Sequence, residues 1–152
     1  MATTRTSSTD SLGIGEVAER TGLSVHALRF YEREGLLVGP VHRDSGGRRR
    51  YSPSDVDWLG ICVRLRESGM PLAELKRFAE LVREGTGNEP ERLRLLDAHR
   101  CRVEDRISAL EECRSVIVRK VAVYAEHVAR GTAAGLWDPT AAVEGEASSS
   151  EA

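Results

Sequence analysis

The sequence predicts a mainly α protein: a small head of short helices with an extended wing, followed by one long coiled-coil dimerisation helix. Three observations carry this expectation. Residues 12–84 are interrupted roughly every ten to fifteen residues by Gly, Pro, Ser or Asp turn signals, which cut the chain into short elements. After Pro90 the chain runs to residue 130 with neither Gly nor Pro. Along that run apolar residues recur at heptad a and d spacing.

Composition narrows the function classes. The 152 residues are 40% hydrophobic and 30% charged, and with only 5% aromatics the core must be built from Leu, Val and Ile on helices. A net charge of -2 argues against a polybasic nucleic-acid coat or a membrane-surface peptide. No stretch approaches the ~18 consecutive apolar residues of a membrane span. The opening MATTRTSSTDS lacks the apolar centre of a secretory signal, so a cytoplasmic location without membrane partners is expected. Cys62, Cys101 and Cys113 are odd in number and show no C-x-x-C spacing, which favours reduced thiols over disulfides or a zinc knuckle. Residues 1–11, rich in Ser and Thr, and the acidic residues 131–152 are expected to be disordered.

In the head, Ile14, Val17 and Ala18 fall at i, i+3 and i+4, Thr21-Gly22-Leu23-Ser24 breaks the period, and Val25 and Leu28, with Tyr31 or Glu32, resume it. Two short helices result. Gly22 supplies the left-handed residue that closes the first, Ser24 caps the second, and Gly35 ends it. This is a helix-turn-helix layout, whose second helix can enter a major groove. Residues 36–51 (LLVGPVHRDSGGRRRY) combine a Gly-Pro break, an Asp-Ser-Gly-Gly turn and three arginines, and read as a small hairpin or wing. From Arg20 to Tyr51 seven arginines face three acids, a local charge of +4 that the global sum hides. Phosphate neutralisation needs such clustering, because each cation that meets the backbone releases counterions. The alternative is that Arg48, Arg49 and Arg50 form a solvated turn.

Ser52-Pro53-Ser54-Asp55 starts a third helix with a Ser cap, Pro at the first position and an acid three residues after the cap. Val56, Leu59, Val63 and Leu65 give its apolar face, with Trp58 and Cys62 beside it, until Gly69. Met70-Pro71 opens a fourth, in which Leu72, Leu75, Phe78, Ala79 and Val82 have helical spacing. The head thus spans residues 12–84, and a linker with the long helix occupies 85–130.

The long helix carries the most quantitative signal. Steps of seven from Leu96 reach Val103, Leu110, Ile117 and Tyr124; steps of seven from Leu93 reach Arg100, Ile107, Arg114, Val121 and Val128. Nine of these eleven positions are apolar. A helix of about 60 Å, at ~1.5 Å per residue, could not bury that seam against a small head. The expected partner is a second copy of the chain, with Leu93, Leu96, Val103, Ile107, Leu110, Ile117, Val121, Tyr124 and Val128 in the dimer interface.

The string Ile14-Gly15-Glu16-Val17-Ala18, Thr21-Gly22-Leu23-Ser24, Leu28-Arg29-Phe30-Tyr31-Glu32, Gly35-Leu36-Leu37 and Arg48 to Tyr51 resembles the winged helix-turn-helix head of the MerR family of bacterial transcriptional regulators. The resemblance continues through Asp55 to Gly69 and Leu72 to Leu75 and covers roughly residues 12–128. It implies a homodimer joined by an antiparallel coiled coil, with two heads on a pseudo-palindromic operator in double-stranded promoter DNA. It also implies activation of RNA polymerase by bending and untwisting an overlong promoter spacer, at a deformation cost on the order of several kcal/mol. Carried over by position, Ser24, His26, Arg29, Tyr31 and Arg33 of the second helix face DNA, and Arg43, Arg48, Arg49, Arg50 and Tyr51 grip it from the wing. Phe30 and one face of Tyr31 are alternatively core, and Arg29 alternatively pairs with Glu32 or Glu16.

An effector, small molecule or electrophile, is left unidentified by the sequence. Metal-sensing members resembling this chain use cysteines beyond the dimer helix, but no Cys or His follows Val128. His99 and Cys113 stand about 21 Å apart along a helix, too far to share one ion. No metal and no cofactor is therefore expected. Short thiol-responsive members carry a cysteine in the helix after the wing, two residues beyond Cys62, where Arg64 stands here. Cys62 is thus either a thiol sensor or a buried structural cysteine, and Leu136-Trp137 either lines an effector pocket or anchors the tail. A nucleophile-base pair, a phosphate loop and paired catalytic acids are all lacking, so an enzyme is not expected. The competing reading is an adaptor that assembles through its coiled coil without binding DNA.

Overall fold

The computed structural model describes residues 11–137; of the segments expected to be disordered, 1–11 and 131–152, all but residues 11 and 131–137 lie outside them, and the latter include a 3-10 turn. The elements run α1 (Ile14–Thr21), α2 (Val25–Arg33), β1 (His42–Arg43), β2 (Arg49–Arg50), α3 (Pro53–Glu67), α4 (Leu72–Glu84), α5 (Glu89–Arg130) and a 3-10 turn at Ala133–Gly135. Two compact units divide after Val103, within α5.

In the first unit the helix boundaries follow local chemistry. Gly22 takes φ +74°, where a side chain would be strained, and its N–H closes α1 on the Ala18 carbonyl. The Ser24 hydroxyl accepts from the Ala27 N–H at 3.0 Å and starts α2. At α3 the capping box is complete: Ser52 Oγ accepts from the Asp55 N–H at 3.1 Å, while the Asp55 carboxylate accepts from the Ser52 N–H at 2.8 Å. Asp55 is nonetheless buried, and the chain passes it at Gly39, where a Cβ would stand 2.7 Å from Asp55 Oδ1.

β1 and β2 pair antiparallel, His42 with Arg50 and Arg43 with Arg49, and form the wing. Leu12 bridges to Tyr51, so the segment before α1 extends that small sheet. The core beneath gathers Val17, Leu28, Leu36, Tyr51, Leu59, Cys62, Met70 and Leu75, all essentially solvent-free. Trp58 stacks on Phe78 with centroids 5.5 Å apart and donates its indole N–H to the Leu36 carbonyl at 2.6 Å. One aromatic pair and one buried hydrogen bond thereby tie α3, α4 and the start of the wing loop.

α4 holds α2 from behind. Lys76 pairs with Glu34, and Arg83 Nη1 donates to the Gly35 carbonyl at 2.6 Å, covering the C-terminal end of α2. The first turns of α5 return to α4 and α3 through Arg77–Glu91 at 2.8 Å, Arg102–Glu74, and His99 Nε2 at 2.8 Å from Ser68 Oγ. His99 is buried, a contact that heptad counting does not reveal. Leu95 and Leu96 pack against the head core, so this part of the expected dimer seam is partly covered by the chain itself.

Cys62 is fully buried among the core residues, and burial pushes its thiol up to about 12. Of the two readings of Cys62, burial matches the structural one: its turn of α3 faces inward, among the core side chains. Arg64 and Arg66 do not activate it, being engaged by Glu67 at 3.0 Å and by the Met70 carbonyl at 2.6 Å.

In the second unit α5 exposes Ile107, Leu110, Ile117, Val121, Tyr124 and Val128, of which Ile117 is 61% accessible. Past the helix, the Trp137 ring lies 5.2 Å from Lys120 Nζ in a cation-π contact, with most of the ring in solvent. Among the described residues no helix is long and apolar enough to cross a membrane, and no group of three or more His, Cys, Asp or Glu could hold a metal ion.

Candidate nucleic-acid interface

The 3.6-residue period of α2 sorts its side chains. Leu28 and Tyr31 turn into the core, while His26, Arg29 and Arg33, at i, i+3 and i+7, form one exposed stripe. Among the described residues Arg29 and Arg33 have no carboxylate partner, which leaves both guanidinium groups free for an anionic ligand. Ser24 is exposed at the N-terminal end of this stripe, with its hydroxyl already accepting the cap hydrogen bond.

The wing owes its shape to Asp44. Its Oδ1 accepts from the N–H groups of Gly46 and Arg48, both at 2.9 Å, and the Asp44 N–H donates to the Arg48 carbonyl at 2.8 Å. The Arg48 N–H, first among these, holds the Asp44 carboxyl below its ordinary range. Arg48 then stands at the tip with its side chain 84% exposed and only a 3.4 Å contact to Asp44. Arg43 is also exposed, donating to the Gly47 carbonyl at 3.1 Å. Arg50 is half-buried and donates to Ser11, whose hydroxyl it meets at 3.2 Å.

Three residues expected to face DNA are buried in the folded chain. Tyr31 and Tyr51 are core residues, and burial, the leading cause in each, raises both phenols above their ordinary range. Arg49 is buried too, 8% exposed, as side chains alternate along the wing: Arg48 before β2 is exposed, Arg49 turns under the wing and Arg50 is half-buried. There its Nη1 meets Glu32 Oε1 at 3.3 Å and its guanidinium lies 5.3 Å from the Tyr51 ring centre. Arg29 pairs with neither Glu32 nor Glu16; Glu32 is taken instead by Arg49 and, at 3.8 Å, Arg43. The sequence offered Glu32 as a partner for Arg29; its pairing with Arg49 and Arg43 of the wing appears only in the fold.

Between α2 and the wing these side chains enclose a cleft of about 610 Å³, lined by Arg29, Arg43, Arg48, Arg49 and Arg50 with Glu32 and Asp44, and floored by Gly13 and Ile14. Five guanidinium groups against two carboxylates make it cationic, and both acids are already paired inside the protein. A phosphodiester backbone suits such a cleft: negative, and able to accept the forked hydrogen bonds that arginine offers.

The chain is similar in sequence and fold to known proteins. Residues 12–81 match the family described as MerR HTH family regulatory protein, and residues 56–119 match the one described as MerR, DNA binding. An uncharacterized HTH-type transcriptional regulator of Haemophilus influenzae is 37% identical over 117 residues, covering 77% of this chain and 86% of its own. Among solved structures, HiNmlR, a MerR family regulator lacking the sensor domain and bound to promoter DNA, superposes with a TM-score of 0.74 at 34% identity, over 85% of this chain and 97% of that one. A MerR family regulator from Listeria monocytogenes gives 0.73 at 30% identity, over 79% and 90%. With its helix-turn-helix, its wing and its long terminal helix in the same order, the chain belongs to the MerR family of DNA-binding transcriptional regulators.

Proposed function

We propose that the chain works as a cytoplasmic homodimer on a pseudo-palindromic operator in promoter DNA, where it activates transcription by RNA polymerase by bending and untwisting the duplex. The carrying observation is the exposed stripe of His26, Arg29 and Arg33 beside a cleft whose acids are all internally paired. In this reading α2 enters the major groove, with Ser24 and His26 at its leading end. Arg43, Arg48 and Arg50 meet flanking phosphates, which fixes register without reading sequence. The relative bound to promoter DNA supports this assignment of partner.

The dimer reading rests on the α5 seam. Ile107, Leu110, Ile117, Val121, Tyr124 and Val128 leave an apolar surface that an isolated helix keeps in water, and a second α5 would cover it, antiparallel as the family resemblance implies. Residues 12–84 would act as the DNA-binding domain and 85–130 as linker and dimerisation helix. The role is regulatory and non-enzymatic.

A footprint tests the proposal. The full chain on its own upstream region should protect a two-fold site at physiological salt, with two half-sites on one face of the duplex. Protection that lacks sequence preference would sink it, as would a single protected half-site together with a monomeric mass in sedimentation.

A further inference from the structure

Glu32 is an acid for which the interface reading has no use. It lies on α2 one turn after Arg29, half-buried, in a cleft where by charge alone a carboxylate opposes an anionic partner. Its Oε1 accepts from Arg49 Nη1 at 3.3 Å and stands 3.8 Å from Arg43 Nη2. Arg43 belongs to β1 and Arg49 to β2, and the two are register partners in the wing. One carboxylate oxygen therefore connects the groove-facing helix to both strands of the wing.

The connection is not a casual surface pair. Arg49 is buried, and among the described residues its Nε and Nη2 have no hydrogen-bond partner. A buried guanidinium with two orphaned donors depends on the one carboxylate it has. The other ties of the wing run elsewhere: Arg50 to Ser11, and the Tyr51 backbone to Leu12. Those fix the wing to the segment before α1; Glu32 fixes it to α2.

We propose that Glu32 is a positioning residue for DNA recognition, holding the wing at one angle to α2 so that Arg48 and the His26, Arg29, Arg33 stripe meet the duplex in a single register. The inference rests on the interface assignment made above. It has a sign that simple electrostatics does not share. Removing a negative charge from a DNA-facing cleft should tighten binding to every duplex. Loss of positioning should weaken binding to the selected sequence alone, since only there must wing and helix fit together.

The test uses the full chain, wild type and Glu32→Gln, with two probes: the duplex that wild type enriches from a random pool, and a scrambled duplex of the same composition. Glu32→Gln should bind the selected duplex about tenfold more weakly, the scale of a lost charge-assisted hydrogen bond. Its hold on the scrambled duplex should stay level or strengthen, and hydroxyl-radical protection at the wing-side flank should fade. Equal or tighter binding to both probes overturns the inference. If Glu32→Gln loses its helical circular dichroism, the double variant Glu32→Leu/Arg49→Met replaces the buried pair with apolar side chains. It should fold and keep the specific defect; a return to wild-type affinity for the selected duplex would make Glu32 structural only and overturn the inference. A wild-type chain that selects no duplex overturns the interface reading and this inference together, whereas selection by wild type with equal binding by Glu32→Gln overturns the inference alone.

Discussion

Inactivity of the Cys62 thiol is open to direct measurement. Burial raises this group from an ordinary 9.0 to about 12, so near neutral pH it holds about a thousandfold less thiolate than an ordinary thiol, before any loss of access is counted. Cys101 and Cys113 are exposed on α5. A chromogenic disulfide reagent added to native protein should therefore titrate two thiols quickly and the third only at the rate of unfolding. Cys62→Ser should remove the slow phase, leave the fast amplitude intact and cost about 1–3 kcal/mol for placing a hydroxyl in the core. The linkage has a definite sign. With the folded-state value above the unfolded one, the folded chain retains its proton between pH 9 and about 12, so stability present below pH 9 declines as pH rises through that window. Tyr31 and Tyr51, also raised by burial, add alkaline sensitivity in the same direction. Three thiols reacting at one rate, or an electrophile response that disappears in a folded Cys62→Ser chain, would refute the reasoning.

Three further outcomes are expected. Ile117→Glu, at a seam position already 61% exposed in one chain, should leave the circular dichroism of the head unchanged yet shift sedimentation from dimer to monomer and weaken operator binding. Arg48→Ala should weaken binding to selected and scrambled duplexes alike and lower the slope of log affinity against log salt by ~0.9, the share of one phosphate. Gly39→Ala places a Cβ 2.7 Å from Asp55 Oδ1, the carboxylate that caps α3, and should lower the thermal midpoint by the equivalent of about 1–3 kcal/mol. Urea or thermal denaturation monitored by circular dichroism reads the last of these.

Much of the fold was legible because its signals are local. Gly22, Ser24 and Ser52-Pro53-Ser54-Asp55 act through backbone geometry and hydrogen bonds that span three or four residues, and each sits where the spacing places it. On α2 the resemblance supplied His26, Arg29 and Arg33 together with Tyr31, and the helical period of the folded chain separates the exposed three from the buried one. Burial within the two-residue strands was not legible. Period two requires one of two adjacent wing arginines to turn inward, but only the position of the sheet over α2 decides that it is Arg49. Tyr31, for which the core was an open alternative, and Tyr51 are buried likewise: an aromatic with a polar tip suits either a core or a groove.

By itself the sequence determined the order and type of the elements, the basic bias of the head and the apolar period of α5, because propensity, capping and periodicity are properties of neighbours along the chain. Tertiary structure alone decided which charges remain for a ligand. Glu32 meets Arg49 from seventeen residues away, His99 reaches Ser68 across thirty-one, and Cys62 disappears beneath side chains from the rest of the head. Accessibility and charge pairing depend on distances in space, and a linear pattern does not contain them.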